Sequence, residues 1–360
     1  MNKHKRFVTI AGATGLAVML SACGGFDDEE ADNGGDGGDP AEEGDEDVDE
    51  PEDAGDAEVT LRLAHSASED HQYNIAAEHF QEEVAEQTDG DVAIEIHGNA
   101  TLGGEGEAIE QVLDGSLAMT TVAADSNLAN TVSEMNLFGI PYIFEDEDHV
   151  YDMLDGDLGD DMLGMVGDNG MVGMGYWEVG MRHITNSQQE IESPEDMDGL
   201  SIRVQPSPVW EAHMNALGAS PTPVDFDELY SSLDQGVVDG QENPLPTIDS
   251  MNFYEVQEYV SLTGHTYTPA VVLMSEDAQD ELGEHFEDVQ AAVEATTEFH
   301  RDELSQMEDD VIERIEDAGV TITEEVDHEA FLEATEDVRE EVSDDVPSEL
   351  VDRVLEHADD

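Results

Sequence analysis

Val59-Thr60-Leu61-Arg62-Leu63, the segment from Asp70 to Asp89-Gly90, and then Val92-Ala93-Ile94-Glu95-Ile96 decide the fold class. In the first and last pieces apolar residues alternate with other residues, the period of a strand with one face buried. Between them Tyr73, Ala77, Phe80 and Val84 recur at helical spacing, which predicts a helix capped by Asp70 and stopped by the Asp-Gly pair. Strand, helix and strand in that order predict a mainly parallel α/β unit. The unit recurs. After Leu102-Gly103-Gly104 a helix runs through Ile109 and Val112 to Gly115, and a third strand lies near Leu117 to Val122. A second set begins near Arg182. Ser193-Pro194-Glu195 reads as a cap and first turn, Leu200 to Gln205 as a strand, and Trp210, Met214 and Leu217 as one face of a helix closed by Gly218. Another helix is expected over about Phe226 to Gln235, and almost uninterrupted helix from about Glu276 to Asp317. The expected architecture is α/β, with two α/β lobes around a ligand cleft, joined by crossing strands and a long spanning helix.

The composition excludes one class at once. With 92 acidic and 10 basic side chains among 360 residues, the formal charge is -82, which repels a nucleic-acid backbone. Three of the cations, Lys3, Lys5 and Arg6, open the chain; beyond them it has no lysine and seven arginines, Arg62, Arg182, Arg203, Arg301, Arg314, Arg339 and Arg353. An acid excess spread this evenly reads as adaptation to concentrated salt, where screening shortens to ~3 Å at 1 M and self-repulsion largely disappears. The expected result is an unfolding midpoint that rises from dilute to molar salt; maximal stability at low salt would contradict the halophilic reading.

The first residues read as an export signal: basic residues, an apolar run from Phe7 to Leu20, and Leu20-Ser21-Ala22-Cys23-Gly24. This order resembles a bacterial lipobox, in which Cys23, the sole cysteine, becomes the lipidated first residue of the mature chain. About 14 apolar residues fall short of the ~20 that span a bilayer. Residues 26 to 57 hold 17 acids with Gly and Pro and are expected to form an extended stalk. The expected organisation is a signal peptide over 1–22, lipidated Cys23 with an acidic linker to 57, lobe I from 58–180 plus about 269–308, lobe II from 181–268 plus about 309–330, and a helical segment over 331–360.

Three further stretches carry a family resemblance. They are Gly180-Met181-Arg182-His183-Ile184-Thr185-Asn186, Pro194-Glu195-Asp196-Met197-Asp198-Gly199-Leu200-Ser201-Ile202-Arg203-Val204, and Asp239-Gly240-Gln241-Glu242-Asn243-Pro244. With Phe253-Tyr254-Glu255-Val256-Gln257 and Thr263-Gly264-His265, the chain resembles the DctP-type solute-binding proteins of tripartite ATP-independent periplasmic (TRAP) transporters, from Val59 to about Ile322. The resemblance implies a periplasmic-binding-protein-like fold, closure over a small organic acid, and delivery to membrane subunits of a TRAP transporter, outside the cytoplasm. A binding protein of an ABC importer or a chemoreceptor system would share the fold.

The residues themselves point to a compatible site. On the strand around Arg203, Ser201, Arg203 and Gln205 face one way and Leu200, Ile202 and Val204 the other. In a sheet covered on both faces an arginine is costly unless an anion meets it, and its planar fork matches a carboxylate. The resemblance places the family's carboxylate-binding arginine at Arg203; an internal ion pair is the plainer alternative. Arg182 is implied as a second contact, with a hinge ion pair as its alternative. Asn243 is implied beside the ligand, or else caps the turn before Pro244. Phe226 is an aromatic candidate that equally fits the apolar face of its helix with Leu229 and Leu233. His71 borders the first strand-to-helix loop, where open α/β sheets place ligands, or is polar surface. Trp177 and Trp210 read as core. Arg301, Arg314, Arg339 and Arg353 each follow an acid by three or four residues (Glu298, Asp310, Glu336, Glu349), the spacing of a helix-surface pair.

For the ligand, the resemblance implies that sialic-acid-binding members of the family carry an acid and an arginine where this chain has Ala123 and Ser126. That leaves a short acid, a C4-dicarboxylate or similar, as the expectation. No cofactor or metal is expected. The chain lacks HExxH, GxxxxGK[ST] and GxSxG patterns and any cysteine beyond the anchor, so no enzyme is expected either.

Overall fold

The computed structural model describes residues 57–358. The export signal, Cys23 and the acidic linker up to residue 56 lie outside the described residues. The strands are β1 (Val59–Ala64), β2 (Val92–His97), β3 (Met119–Ala123), β4 (Met171–Asn186), β5 (Ser201–Val204), β6 (Ser220–Pro223), β7 (Gly240–Pro244), β8 (Tyr259–Ser261), β9 (Tyr267–Ser275) and β10 (Thr321–Thr323). The helices are α1 (Gln72–Gln87), α2 (Glu105–Leu113), α3 (Glu147–Leu154), α4 (Asp157–Asp168), α5 (Pro208–Ala216), α6 (Leu229–Asp234), α7 (Leu245–Ser250), α8 (Glu276–Leu282), α9 (Phe286–Asp317), α10 (His328–Thr335), α11 (Val338–Glu341) and α12 (Ser348–Ala358).

The sheet order is β2-β1-β3-β9-β4-β7-β5-β6, with β8 on β4 and β10 on β8. Pairing is parallel at both ends, β1 with β2 and β3, and β5 with β6 and β7. The middle is not. β9 runs antiparallel to both β3 and β4, and β4 antiparallel to β7, so the sheet is mixed where the sequence pattern predicts it mainly parallel. The difference lies in β4. Its residues 171 to 181 pair with β9, while Arg182 to Asn186 pair with β7. Register shifts at Gly173/Gly175 and Glu178/Gly180 allow that change of partner, and Gly180, at φ +119, takes a backbone conformation closed to side chains with a Cβ. One 16-residue strand therefore crosses from a first half (β1 to β3 with β9) to a second (β5 to β7). α9 spans the same two halves. Its Val289, Ala292 and Val293 sit in the core with Leu61, Phe80 and Trp177, and its Val311 and Ile315 in another with Leu229, Phe253 and Val260.

Several local expectations change. His71, not Asp70, caps α1: its Nδ1 accepts from the Tyr73 amide at 3.0 Å. The long helix breaks at Gly283, whose φ of +54 ends α8 before α9 begins. Trp177 and Trp210 are fully buried. For Arg301 and Arg353 the expected helix-surface pairing gives way to contacts between elements, and Arg314 too has a partner on another element. Arg301 reaches buried Glu178 at 2.8 Å and grips Asp155 with two bonds of 2.7 and 2.9 Å; Arg314 meets Asp249 and Arg353 meets Asp161 at 2.8 Å. With carboxylates at so many surface positions, an arginine is not restricted to its own helix. A buried partner such as Glu178 gains most from the cation, because it has lost its water.

Candidate functional site

A cavity enclosing about 290 Å³ between atoms lies where the two halves meet. The first half supplies His71 and Tyr73 from the start of α1, Glu105 from the start of α2, and Ala123 from the end of β3. Val179 and Arg182 come from the crossing strand β4. The second half supplies Gln205, Phe226, Asn243 and Thr247. The space left is scarcely more than a water molecule needs, so the walls nearly touch. A larger cleft of about 840 Å³ beside Tyr142, Glu147 and His183 is open to solvent and has no arginine among its lining residues.

Arg203 stands on β5, two residues before Gln205 of this wall, and is 1% exposed. Its Nε donates to the Val224 carbonyl at 2.8 Å, and its Nη1 has no partner among the described residues. Burial pulls its pKa down to about 10, against the opposing influence of Glu242, so it stays charged at neutral pH. Among the described residues it is thus a buried cation with its Nη1 unused and no carboxylate hydrogen-bonded to it.

Arg182 is different. Its Nε donates to Glu242 Oε2 at 2.5 Å and its Nη2 to Glu242 Oε1 at 3.0 Å, with both side chains buried. Burial works to lower its pKa, yet the Glu242 carboxylate outweighs this and holds it above the usual value; burial likewise works to raise Glu242, and Arg182 holds it below. Nη2 also reaches Asn243 Oδ1 at 3.0 Å. The Asn243 amide in turn donates to Gln241 Oε1 at 2.5 Å, so both ends of Asn243 already have partners. β7 allows this close approach because it begins at Gly240, where a Cβ would meet the Thr185 carbonyl at 2.2 Å.

His71 is fully engaged, by the Tyr73 amide and by the Thr247 hydroxyl at 3.2 Å, and burial pushes its pKa well down, so it is neutral. Phe226 is half-buried and lies edge-on to His71 and Phe253, with centroids 6.1 and 6.2 Å away. Four of the five residues singled out in the sequence line the cavity, and Arg203 is buried two residues before Gln205 of its wall.

Sequence reasoning missed Glu105, Asp125, Gln205, Tyr73 and Thr247. The carboxylate of Glu105 receives the Ala123 amide at 3.4 Å, and burial raises its pKa against the hydrogen bond from Ser126. Asp125 is fully buried and accepts from Gln205 Nε2 at 3.0 Å and Thr268 Oγ1 at 2.8 Å; burial raises its pKa to about 6, Arg182 opposing. Gln205 could have been found, since it shares the strand face of Arg203. The arrangement can do one thing well, which is to bind an anion with a fixed guanidinium and to hydrogen-bond its remainder. No cluster of metal-ligating side chains is present among the described residues.

Residues 63–345 match the family model of the bacterial extracellular solute-binding proteins, family 7 (DctP). The chain is 36% identical over 284 residues to the uncharacterized protein y4mM of Sinorhizobium fredii, covering 79% of this chain but 52% of that one, so it spans about half the length of that relative. It is similar to the structure of a TRAP periplasmic solute-binding protein from Polaromonas sp. JS666 bound to D-erythronate, with 32% identity, a TM-score of 0.80, and coverage of 82% of this chain and 98% of that chain. It is also similar to the one from Sulfurospirillum deleyianum with bound succinate, at 32% identity, TM-score 0.78, and 83% and 99% coverage.

Proposed function

Because the chain belongs to the bacterial extracellular solute-binding proteins of family 7, two-lobed binders and not enzymes, we propose that it captures a small hydroxylated acid with one carboxylate and hands it to the membrane subunits of a TRAP transporter. The reading rests on one observation above all, the buried Arg203 with an unpartnered Nη1, two residues before Gln205 of the cavity wall between the halves. A carboxylate there meets a fork whose orientation the Val224 carbonyl already sets.

The charge balance favours one carboxylate over the two of a C4-dicarboxylate. Arg182 is committed to Glu242, so a second carboxylate would face Glu105 without a free cation. That acceptor, with Gln205, Tyr73 and Thr247, suits hydroxyl groups, which donate as well as accept. D-erythronate, found in the Polaromonas protein, has this chemistry; succinate, found in the Sulfurospirillum protein, does not.

Entry requires motion. A cavity this tight admits an acid only when the halves part, and a ligand touching both halves then favours closure by the difference in its affinity for the two states. Among the described residues no helix is long and apolar enough to cross a membrane. The lipobox at Cys23 would supply the tether, with the acidic linker as a stalk.

A thermal-shift series in molar salt tests the reading, since a ligand that binds only the folded form raises its melting temperature. Erythronate and galactonate should raise it more than succinate or malate at equal concentration. If only dicarboxylates do so, or if uncharged sugars act as strongly, the proposal fails.

A further inference from the structure

The seam beside the cavity contains contacts that involve no ligand. Asp125 follows β3 in the first half and is fully buried. Its Oδ1 accepts from Gln205 Nε2 at 3.0 Å and its backbone carbonyl from Ser207 Oγ at 2.7 Å, both at the end of β5 in the second half. Its Oδ2 accepts from Thr268 of β9 at 2.8 Å, which fixes the carboxylate from its own side. Nearby, the Asn130 amide donates to the Pro206 carbonyl at 2.6 Å. Short loop segments from opposite halves are thus joined by three hydrogen bonds, two of them to one residue.

We propose that Asp125 is the latch between the two halves, a positioning residue that holds the cleft closed by its bonds to Gln205 and Ser207. The proposal builds on the solute-binding reading but adds an element of closure that the ligand does not supply. Parting the halves breaks the two bonds to the β5 end and admits water to the carboxylate, while Thr268 keeps hold of it. Closing removes that water again.

Closure is therefore linked to protonation. Burial raises the carboxyl to about 6 in the closed form, with Arg182 of β4 lowering it and Glu242 of β7 raising it, and its charge is felt by Tyr73 of α1. In water an aspartate titrates near 3.9. The closed form binds the proton more tightly, so this group favours closure increasingly as pH falls from about 7 through 6. His71 pulls the other way, being kept neutral in the wall by burial. The informative quantity is accordingly the difference between the wild type and Asp125→Asn, which retains an acceptor for Gln205 but cannot titrate.

Small-angle X-ray scattering of the ligand-free mature chain in molar salt is the first measurement. Asp125→Ala and Ser207→Ala should raise the radius of gyration relative to the wild type, and Asp125→Asn should not. Ser207 lies outside the cavity wall, so it tests the seam even where Asp125→Ala folds poorly. In calorimetry with erythronate, Asp125→Ala should weaken binding about tenfold, the effect of losing a charge-assisted bond. The ratio of wild-type to Asp125→Asn affinity should rise several-fold between pH 7 and pH 5. Unchanged scattering for Ser207→Ala and for any folded Asp125→Ala overturns the latch, whether or not an acid binds; parallel pH profiles overturn its link to protons.

Discussion

Arg203→Ala abolishes carboxylate binding, so that titration calorimetry in molar salt shows no heat from any acid that binds the wild type. Truncating one partner of a buried, hydrogen-bonded charge pair costs about 2–5 kcal/mol, or roughly 30- to several-thousand-fold in affinity. The upper part of that range is expected because Arg203 is 1% exposed, and its interaction is screened little by salt. Arg203→Lys retains a charge but loses the planar fork and the Nε bond to the Val224 carbonyl that aims it, so it should recover only a small part of the affinity. The stability readout separates a binding arginine from a structural one. Without ligand the guanidinium is a buried cation with an unused donor, so its removal should leave the ligand-free melting temperature unchanged or raise it. A large drop in that temperature with affinity preserved would make Arg203 a structural cation, and near-wild-type affinity in both variants would defeat the site.

How much of this was legible depends on what signals the sequence permits. Period-two alternation located β1 and β2, and Gly218 marked the end of α5, because these features are local. The mixed pairing of β4 was not legible: whether a strand from Met171 to Asn186 meets β9 or β7 is settled by residues far apart in the chain and by bulges within it. Arg203 stood out because cations are scarce, and scarcity makes a residue informative. Glu105 and Asp125 were hidden by the opposite condition, two site carboxylates among 92 acids with nothing in their spacing to set them apart. The same abundance misdirected the pairing of Arg301 and Arg353, whose partners come from other elements rather than from the preceding helical turn.

Arg182 and Glu242 should respond oppositely to single and paired replacement. Arg182→Ala leaves a carboxylate at 0% exposure without its cation, and Glu242→Gln leaves the guanidinium facing a neutral amide, so each should cost about 3–5 kcal/mol. For a chain of this size that lowers the melting temperature by roughly 5–8 °C. Replacing both at once, Arg182→Met with Glu242→Leu, removes both charges and should return part of the loss, although Asn243 Oδ1 would still lack the donor it has now. The acid limb gives a second check. Glu242 is held below its usual pKa, so the pair's contribution is present above the ordinary carboxylate range and is lost as pH falls through the lowered value. In Glu242→Gln that part of the acid destabilisation should be missing. The result also bears on the ligand. If both single variants unfold like the wild type, the pair contributes little and Arg182 can turn to a bound anion. Two arginines then face the cleft, and a C4-dicarboxylate regains the advantage that a single free guanidinium denies it.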